Sequence, residues 1–439
     1  MNYFRYNIKE HNHILFSSFK ASENRTSFWK SLWGSFKWTL KNLVKECKSL
    51  RKIFRQHNVA PIIFLTMSSN NTRTLRPIWE RLDANTYTVI EVKDLGLYFP
   101  WLWLHYYSLL YSWPLIWTYI RASKSEKAII ETYYESFFST IAYIKLSVRL
   151  MKRNNVKLVV MANDHIVLPR SFLIAARALN ITTIYTQHSS VTERFPSLLF
   201  TYSFLDGEES LAKYVNVGNM DSNVYLSGSP RFDEIVKYRK VAKANVEVVG
   251  VAFNLLDDEA RVKDLCICLK QKGFSKIIVR PHPRQNVDKK WYIDNDFVFS
   301  DSKCESPYEY INGIDLLISG ESGIHLDAIL MGVPSVCYDM NGKGLIDWYS
   351  YVKNGLMPYV KDDEELDRVL LSYRNGSLKS MSSKAEFYNA SYGKSIDGHI
   401  GDTIADFIKL YMSNSFDAFD KKYNFVKKII CGKEVKCIE

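Results

Sequence analysis

The residues of this chain whose types and spacing most clearly suggest chemistry are Arg280-Pro281-His282-Pro283-Arg284. Each proline fixes its own φ angle and restricts the residue before it to extended conformations, so the imidazole of His282 is held at a set position. A rigid histidine flanked by arginines can donate to phosphate oxygens and, when protonated, can offset charge on a leaving group. The segment therefore predicts a phosphate-contacting site, with a purely structural histidine as the alternative.

A second candidate is the loop Ser319-Gly320-Glu321-Ser322-Gly323. Its glycines permit tight turns, its hydroxyls can donate, and a helix predicted to begin near Ile324 would direct free N–H groups toward the loop. This combination predicts a phosphate site. The alternative is that Ser322 only caps the helix.

Asp327 follows Ser322 by five residues and is predicted to lie a little more than one turn inside that helix. Its carboxylate could accept hydrogen bonds from sugar hydroxyls, as the acidic residue of dinucleotide sites does for a ribose. A solvent-facing aspartate is the alternative. Gly332 and Pro334 are typical of the end of a helix.

Apolar runs predict the strands that position these groups. Residues 246–253 form a run that ends at Asn254, residues 276–279 precede the histidine, and residues 314–318 precede the loop. In an open α/β sheet the residues just past each strand line the binding crevice, which adds Asn254 to the site.

The amino-terminal half repeats the same pattern of strand, polar loop and helix, with strands predicted at 61–67, 156–161 and 182–186. The predicted fold class is therefore α/β, with two Rossmann-like domains facing across a cleft. We predict a basic amphipathic helical region at 1–58, a first Rossmann-like domain at 59–240 with an aromatic helical insertion at 97–120, a second Rossmann-like domain at 246–410, and a basic tail or helix at 411–439.

The first domain also offers candidates for a general base, because a carboxylate or an imidazole at a strand end can remove a proton from a substrate hydroxyl. Asp164, His165 and His188 follow predicted strands, and Asp206 and Glu208 come later in the chain. We favour Asp164 as the base and His188 as a residue that orients the substrate. The alternative is that Asp164 caps the next helix.

Charge and aromatic content predict a membrane surface as a partner. The formal net charge is +11, and residues 28–56 interleave apolar side chains with eight basic ones. Such a segment can lie on an anionic bilayer, or it can pack on the protein with a solvated basic face. Nucleic acid is a weaker expectation, because no recognition motif accompanies the charge.

Residues 97–120 contain four tryptophans and no ionisable side chain other than His105 and the tyrosines. Pro100 and Pro114 interrupt the run, which favours a buried or membrane-dipping helical region over a spanning helix. The seven cysteines are scattered, and no signal peptide opens the chain, which predicts a cytoplasmic protein without disulfides or zinc.

Three segments carry a family resemblance: RPHP at 280–283, GSPRFD at 228–233 and LLISGESGIHLDAILMGVPSV at 316–336. They resemble the HP motif, inter-domain segment and donor loop of bacterial GT-B glycosyltransferases of capsule and lipopolysaccharide synthesis, including the sialyl-, polysialyl- and Kdo transferases that use CMP-sugars. Residues 162–190 resemble the amino-terminal half of the same enzymes, with Ser189 where glycine is commoner.

The resemblance implies that the domain at 59–240 binds the acceptor and that the domain at 246–410 binds the nucleotide-sugar donor. In that donor site His282 would contact the donor phosphate and Asp327 would hold ribose hydroxyls. The resemblance also implies that a metal is dispensable, and the motifs Asp294-Asn295-Asp296 and Asp257-Asp258 are weak counter-indications. The full set predicted to bind the donor is Asn254, Arg280, Arg284, Ser319, Glu321, Ser322 and Asp327.

The function expected from these observations is transfer of an acidic sugar, a nonulosonic acid or Kdo, from a CMP donor to a glycan or lipid-linked glycan at the cytoplasmic face of the inner membrane. The alternatives are a CDP-glycerol-type phosphotransferase, a UDP-sugar glycosyltransferase, a UDP-sugar 2-epimerase and a non-catalytic scaffold. Arg231 and Asp233 are expected either to shape an inter-domain hinge or to form a local salt bridge.

Overall fold

The computed structural model describes residues 26–46, 58–193, 195–218, 220–241, 246–374, 384–416 and 418–439. These residues form two units. The first comprises the described residues up to Leu205 together with Leu211–Tyr225 and Gly401–Cys437, and the second comprises Asp206–Ser210, Leu226–Ile400 and Ile438–Glu439.

Short apolar runs form many of the strands, and four of the described strands, Ile62–Leu65, Leu158–Met161, Leu316–Ser319 and Ser335–Tyr338, are buried along their whole length. Such runs are typical of parallel sheets that are covered on both faces. The strands are β1 Ile62–Leu65, β2 Tyr87–Ile90, β3 Leu158–Met161, β4 Thr182–Thr186, β5 Tyr202–Leu205, β6 Asn223–Leu226, β7 Val248–Phe253, β8 Lys276–Pro281, β9 Val298–Phe299, β10 Leu316–Ser319, β11 Ser335–Tyr338, β12 Tyr359–Val360, β13 Phe425–Ile430 and β14 Lys433–Ile438.

The helices connect these strands, and several begin at a side-chain cap. Ser68, Asp258 and Ser306 each accept a backbone N–H of the helix that follows them. The helices are α1 Phe28–Glu46, α2 Ser69–Trp79, α3 Leu95–Tyr98, α4 Trp101–Leu110, α5 Trp113–Arg121, α6 Lys124–Thr132, α7 Tyr134–Arg153, α8 Val167–Ala178, α9 Glu208–Val217, α10 Glu259–Gln271, α11 Lys289–Asp294, α12 Pro307–Asn312, α13 Ile324–Leu330, α14 Asp363–Arg374, α15 Ala385–Tyr388, α16 Ile400–Met412 and α17 Ala418–Lys422.

The sheet of the first unit has the strand order β13-β14-β6-β5-β4-β3-β1-β2, and β2, β1, β3, β4 and β5 pair in parallel. The sheet of the second unit has the order β12-β11-β10-β7-β8-β9 and its pairs are parallel. The carboxyl ends of neighbouring parallel strands therefore share one edge in each sheet, as the sequence predicted.

The carboxyl-terminal segment differs from the prediction of a basic tail or helix at 411–439. Residues 425–438 form β13 and β14, joined at Cys431 and Gly432, which have φ angles of 51° and 71°. Two consecutive positive φ angles are what a two-residue hairpin turn of type I′ requires. Lys427 and Lys428, which are exposed, lie on a strand at the sheet edge.

The domain boundaries are also corrected. The second unit begins its long segment at Leu226, before the predicted domain boundary between residues 240 and 246, and the chain rejoins the first unit at Gly401. The aromatic ring of Phe407 on α16 packs edge-to-face on Phe204 and Tyr225 of the first sheet. Burial of these rings favours the return of α16 to the first unit.

The predicted helical insertion at 97–120 is divided among α3, α4 and α5, with breaks at Phe99–Pro100 and Tyr111–Ser112. Within the ranges given above, no helix combines the length and the apolar character needed to cross a bilayer. Of the predicted basic region 1–58, residues 1–25 and 47–57 lie outside the described residues, and α1 covers much of the remainder.

Candidate functional site

The predicted donor residues share one edge of the second sheet. Strand β7 lies between β10 and β8, and the register pairs Ser319 with Ala252 and Ala252 with Arg280. His282 and the Ser319–Ser322 loop therefore follow strands that end at the same level, one strand apart. The prediction that these segments meet at one sheet edge is confirmed.

His282 is held in a single tautomer. Its Nδ1 accepts a hydrogen bond of 3.2 Å from the backbone N–H of Arg284, which can only donate. The proton of the neutral ring is therefore on Nε2. Burial, and secondarily the charge of Arg284, lower the pKa of His282, so that the neutral N–H donor is favoured over the protonated ring considered from the sequence.

Ser319 presents a donor at the same edge. Its side chain is fully buried, and its Oγ has no hydrogen-bond partner among the described residues. A buried hydroxyl without a partner costs free energy unless a ligand satisfies it. The hydroxyl is therefore a candidate contact for a ligand oxygen.

His325 was missed by the sequence analysis. Its fully buried ring accepts from the Ser335 hydroxyl at Nδ1, 2.5 Å away, and donates from Nε2 to the Gly320 carbonyl, 2.8 Å away. Burial lowers the pKa of His325 to about 4, so the ring is neutral near pH 7. The available sequence signal was a histidine two residues after the glycine-containing loop, whose curvature it stabilises.

Glu321 and Asn254 are engaged by the protein itself. The Glu321 carboxylate accepts the backbone N–H groups of Ile346 and Trp348, the latter at 3.2 Å. Asn254 donates to the Glu321 carbonyl at 3.1 Å and accepts the Leu256 N–H at 2.8 Å. Both side chains therefore fix the loops around the sheet edge, whereas the sequence predicted that they bind the donor.

The remaining predicted donor residues divide between the core and the surface. Arg280 is buried and donates to Ser300 Oγ and the Glu305 carbonyl, each at 2.8 Å, so its guanidinium supports the scaffold. Arg284 is exposed. Ser322 Oγ lies 3.4 Å from the Ile324 N–H it accepts.

Asp327 is buried, which excludes the solvent-facing alternative. Near it, Arg231 donates to Asp206 at 2.6 Å, and both side chains are almost fully buried. Burial raises the pKa of Asp206 to about 6, although the Arg231 charge opposes the shift. Asp206 was considered as a base of the first domain, but it belongs to the second unit.

The interpretation of Arg231 and Asp233 as a local salt bridge is wrong. Arg231 pairs with Asp206, 25 positions earlier, and Asp233 accepts the Ile400 N–H at 2.9 Å. These bonds connect segments that are distant in sequence, so only the folded chain brings them together.

In the first unit, Asp164, His165 and His188 come together at the ends of β3 and β4. Asp164 Oδ2 accepts from Arg170 at 2.6 Å, and Asp164 Oδ1 lies 3.3 Å from His165 Nδ1. The rings of His165 and His188 are 5.4 Å apart. The structure therefore brings these three strand-end side chains together.

The alternative that Asp164 caps the next helix is wrong. The N-cap of α8 is Ile166, without a side-chain cap, and the Asp164 carboxylate is shared between Arg170 and His165. His165 lies next to it and is partly exposed.

No group of three or more His, Cys, Asp or Glu side chains in the described ranges is arranged to hold a metal ion. The arrangement instead offers an imidazole N–H and a hydroxyl at one sheet edge, and a carboxylate–imidazole pair at the other.

No protein-family model and no curated protein matches the chain. Several solved structures are similar to the chain. UDP-GlcNAc 2-epimerase of Neisseria meningitidis, bound to UDP-GlcNAc, has a TM-score of 0.50 and 12% identity over 79% of this chain and 99% of its own. MurG of Acinetobacter baumannii has a TM-score of 0.45 and 12% identity over 79% and 99% of the two chains.

The wall teichoic acid polymerase TagF, soaked with CDPG, has a TM-score of 0.49 and 14% identity over 87% of this chain and 98% of its own. At 12% identity, the likeness to the epimerase is one of fold. Together with the parallel strands at the centre of both sheets it confirms the predicted fold class, α/β of the GT-B type with two Rossmann-like domains.

Proposed function

We propose that this chain is a glycosyltransferase of the GT-B type that moves an acidic sugar from a CMP donor to a glycan acceptor without a metal ion. The second unit binds the donor, and the first unit binds the acceptor and supplies the base. The observation that carries the proposal is the pairing, at one sheet edge, of the fixed Nε2–H donor of His282 with the buried, unpartnered hydroxyl of Ser319.

Donor binding follows from the chemistry of that edge. A neutral imidazole N–H and a hydroxyl donate to phosphate oxygens, and the exposed Arg284 adds a positive charge. His325 fixes the Gly320 carbonyl, so the loop that carries these donors is pre-organised. Cytidine monophosphate as the leaving group is supported by the sequence resemblance at 280–283 and 316–336.

The chemical step uses the Asp164–His165 pair. His165 Nε2 accepts the acceptor proton as the hydroxyl oxygen forms a bond to the anomeric carbon of the donor. The bond from that carbon to the phosphate oxygen breaks, and its electron pair leaves with the nucleotide. Asp164 positions the ring through Nδ1, and the His282 N–H stabilises charge on the departing phosphate.

Peripheral attachment to an anionic membrane is part of the proposal. Trp29 and Trp33 on α1 and Trp117 on α5 are 52%, 56% and 51% exposed. The exposed lysines of α1 lie on the same helix as two of these rings. Tryptophan rings and lysines together are typical of an interfacial helix.

The experiment is calorimetric titration of the protein with CMP, CDP, UMP and UDP, repeated on His282→Ala and on the control His399→Ala, an exposed histidine of the same unit. We expect CMP to bind best and only the His282 variant to lose it. A ligand at 100 times its dissociation constant also stabilises the fold by about 2.7 kcal/mol, which a thermal shift detects. Preference for UDP or CDP would overturn the donor, and failure of every nucleotide to bind would favour a scaffold.

A UDP-sugar 2-epimerase is the second candidate, because the solved epimerase shares the fold and was bound to UDP-GlcNAc. An epimerase differs from the proposed glycosyltransferase because it needs no acceptor. Incubation with UDP-GlcNAc and detection of the 2-epimer by NMR would identify it.

A further inference from the structure

The first unit contains a cavity of about 1060 Å³ that the sequence analysis did not anticipate. It is bounded by α1, α4, α7 and the segment that starts at His165. Ligand sites typically measure roughly 300–1,000 Å³, so this cavity has room for more than a single sugar ring. His165, the residue proposed as the base, is part of the wall of this cavity.

Two buried polar groups of the wall lack partners. Ser108, on α4, is 1% exposed, and its Oγ has no hydrogen-bond partner in the described part of the chain. The same holds for Nε2 of His165. Buried polar groups are almost always hydrogen-bonded in folded proteins, so these two atoms are expected to meet a polar ligand.

The wall also has an exposed aromatic part. Trp38 and Trp101 are 42% and 64% exposed, and their rings lie 4.3 Å and 5.6 Å from the ring of His105. Trp38 belongs to α1, which carries the exposed rings assigned above to the membrane surface. One cavity therefore connects apolar rings near that surface with the polar atoms of Ser108 and His165.

The charge of the wall is one-sided. It includes the carboxylates of Glu131 and Glu135 and, among the described residues, no lysine or arginine. Glu131 accepts from Tyr119 at 2.7 Å and from the Phe28 N–H, whereas Glu135 is exposed. Carboxylates accept hydrogen bonds from hydroxyls and repel anions, so an uncharged polyhydroxylated group fits this wall and a phosphate or acidic sugar does not.

We propose that the cavity binds the acceptor, and that the acceptor is an uncharged sugar carried on an apolar aglycone. The sugar hydroxyls contact Ser108 and Glu135, the reacting hydroxyl meets His165 Nε2, and the aglycone lies on Trp38 and Trp101. The role of His165 rests on the proposed function. The binding site itself rests on the cavity, its unpartnered atoms and its charge.

The test is calorimetric titration of the full chain with octyl glycosides of glucose, galactose and N-acetylglucosamine, below their micelle concentrations. Methyl glycosides of the same sugars and octyl glucuronide serve as comparison ligands. We expect at least one neutral octyl glycoside to bind at least about tenfold tighter, or about 1.4 kcal/mol, than its methyl counterpart and than octyl glucuronide. Equal binding of the glucuronide, or no binding of any octyl glycoside, would overturn the proposal.

Two variants locate the site. Ser108→Leu fills the cavity and should weaken the best octyl glycoside by about tenfold or more. Its matched control is Ser147→Leu, at a fully buried serine of α7 outside the wall. Glu135→Lys changes only an exposed residue and should reduce the difference in affinity between the best neutral octyl glycoside and octyl glucuronide. Its control is Glu80→Lys, at an exposed residue outside the wall, which should leave that difference unchanged.

If Ser108→Leu and Glu135→Lys both bind as the wild type does, the ligand lies elsewhere and the proposal fails. A parallel CMP titration separates this result from the proposed function. If the wild-type protein binds a glycoside but not CMP, the proposed transferase function fails and the cavity remains a glycoside site. If CMP binds and no glycoside binds, the cavity proposal fails and the proposed transferase function stands.

Discussion

The carboxylate of Asp257 lies so close to Gly320 that a Cβ atom at position 320 would overlap it. The carboxylate cannot swing away freely, because its Oδ2 accepts the Asn254 N–H at 2.7 Å. The close approach connects the loop after β7 to the loop after β10 at the edge where the donor residues lie. Glycine is therefore required at position 320 by packing.

Gly320→Ala should destabilise the second unit by roughly 1–3 kcal/mol, the usual cost of overpacking, and should weaken nucleotide binding. Addition of Asp257→Ala should recover most of the lost stability, because the methyl group introduced at position 320 then has space. The measurement is urea unfolding of both single variants and the double variant. Gly323→Ala is the control, since an added Cβ there meets nothing within 4 Å. Additive effects of the two changes would show that the contact does not matter.

Asp257→Asn should stabilise the protein at pH 7.5, and the gain should shrink toward pH 5. Burial raises the pKa of Asp257 to about 6, and the charge of Glu321 adds to the shift. The folded state thus holds a proton that the unfolded chain releases, so ionisation costs stability above pH 6 and the cost falls as the pH is lowered. Thermal unfolding at several pH values measures this. The neighbouring Asp258→Asn is the control, and a gain independent of pH would contradict the assignment.

His325 should remain neutral at pH 5. Burial lowers the pKa of His325 to about 4, so below about pH 6.5 the unfolded chain binds a proton that the folded chain does not bind. The stability of the fold should therefore fall as the pH decreases from about 6.5 toward 4. Histidine NMR of the folded protein, with the signal assigned through His325→Gln, measures the midpoint. A midpoint near that of an unperturbed histidine would show that the ring is not sealed between Gly320 and Ser335.

His165→Gln should slow glycosyl transfer by about 10²–10⁴-fold, the range typical of general-base catalysis, and leave CMP binding unchanged. Asp164→Asn should lower kcat without raising the acceptor KM, because it disturbs the orientation of the ring and not the binding of substrate. The two losses should not add, since both act through one imidazole. Unchanged rates in His165→Gln would move the search for the base to His188.

Charge reversal of the lysines Lys30, Lys37 and Lys41 should weaken sedimentation with phosphatidylglycerol-containing vesicles, by about 1 kcal/mol per lysine. The effect should fade as salt increases. Replacement of Trp29, Trp33 and Trp117 by serine should weaken binding at all salt concentrations, because it removes apolar contact.

The matched control reverses three exposed lysines of the second unit, Lys303, Lys343 and Lys361. Their net charge change is the same, so an equal loss would show that total charge, rather than the surface around α1, determines vesicle binding.

The local sequence was sufficient for six of the described strands, β1, β3, β4, β7, β8 and β10, and for the edges that they create. Apolar runs followed by Asn254, His282 and Ser319 predicted three neighbouring strands of one sheet, because burial of apolar residues and the turn residues that follow are local properties. The same reasoning placed Asp164, His165 and His188 at the ends of strands. The fixed extended backbone around His282 likewise followed from two prolines.

Tertiary structure alone decided what each side chain contacts. Glu321 and Arg280 have the right chemistry for a donor, yet in the fold they bind the backbone at 346–348 and the Ser300–Glu305 segment. The partner of Arg231 is Asp206 instead of the nearby Asp233, and His325 meets Gly320 and Ser335. Hydrogen bonds and ion pairs depend on distances of a few ångströms between segments far apart in the chain, and only packing of the whole core sets those distances.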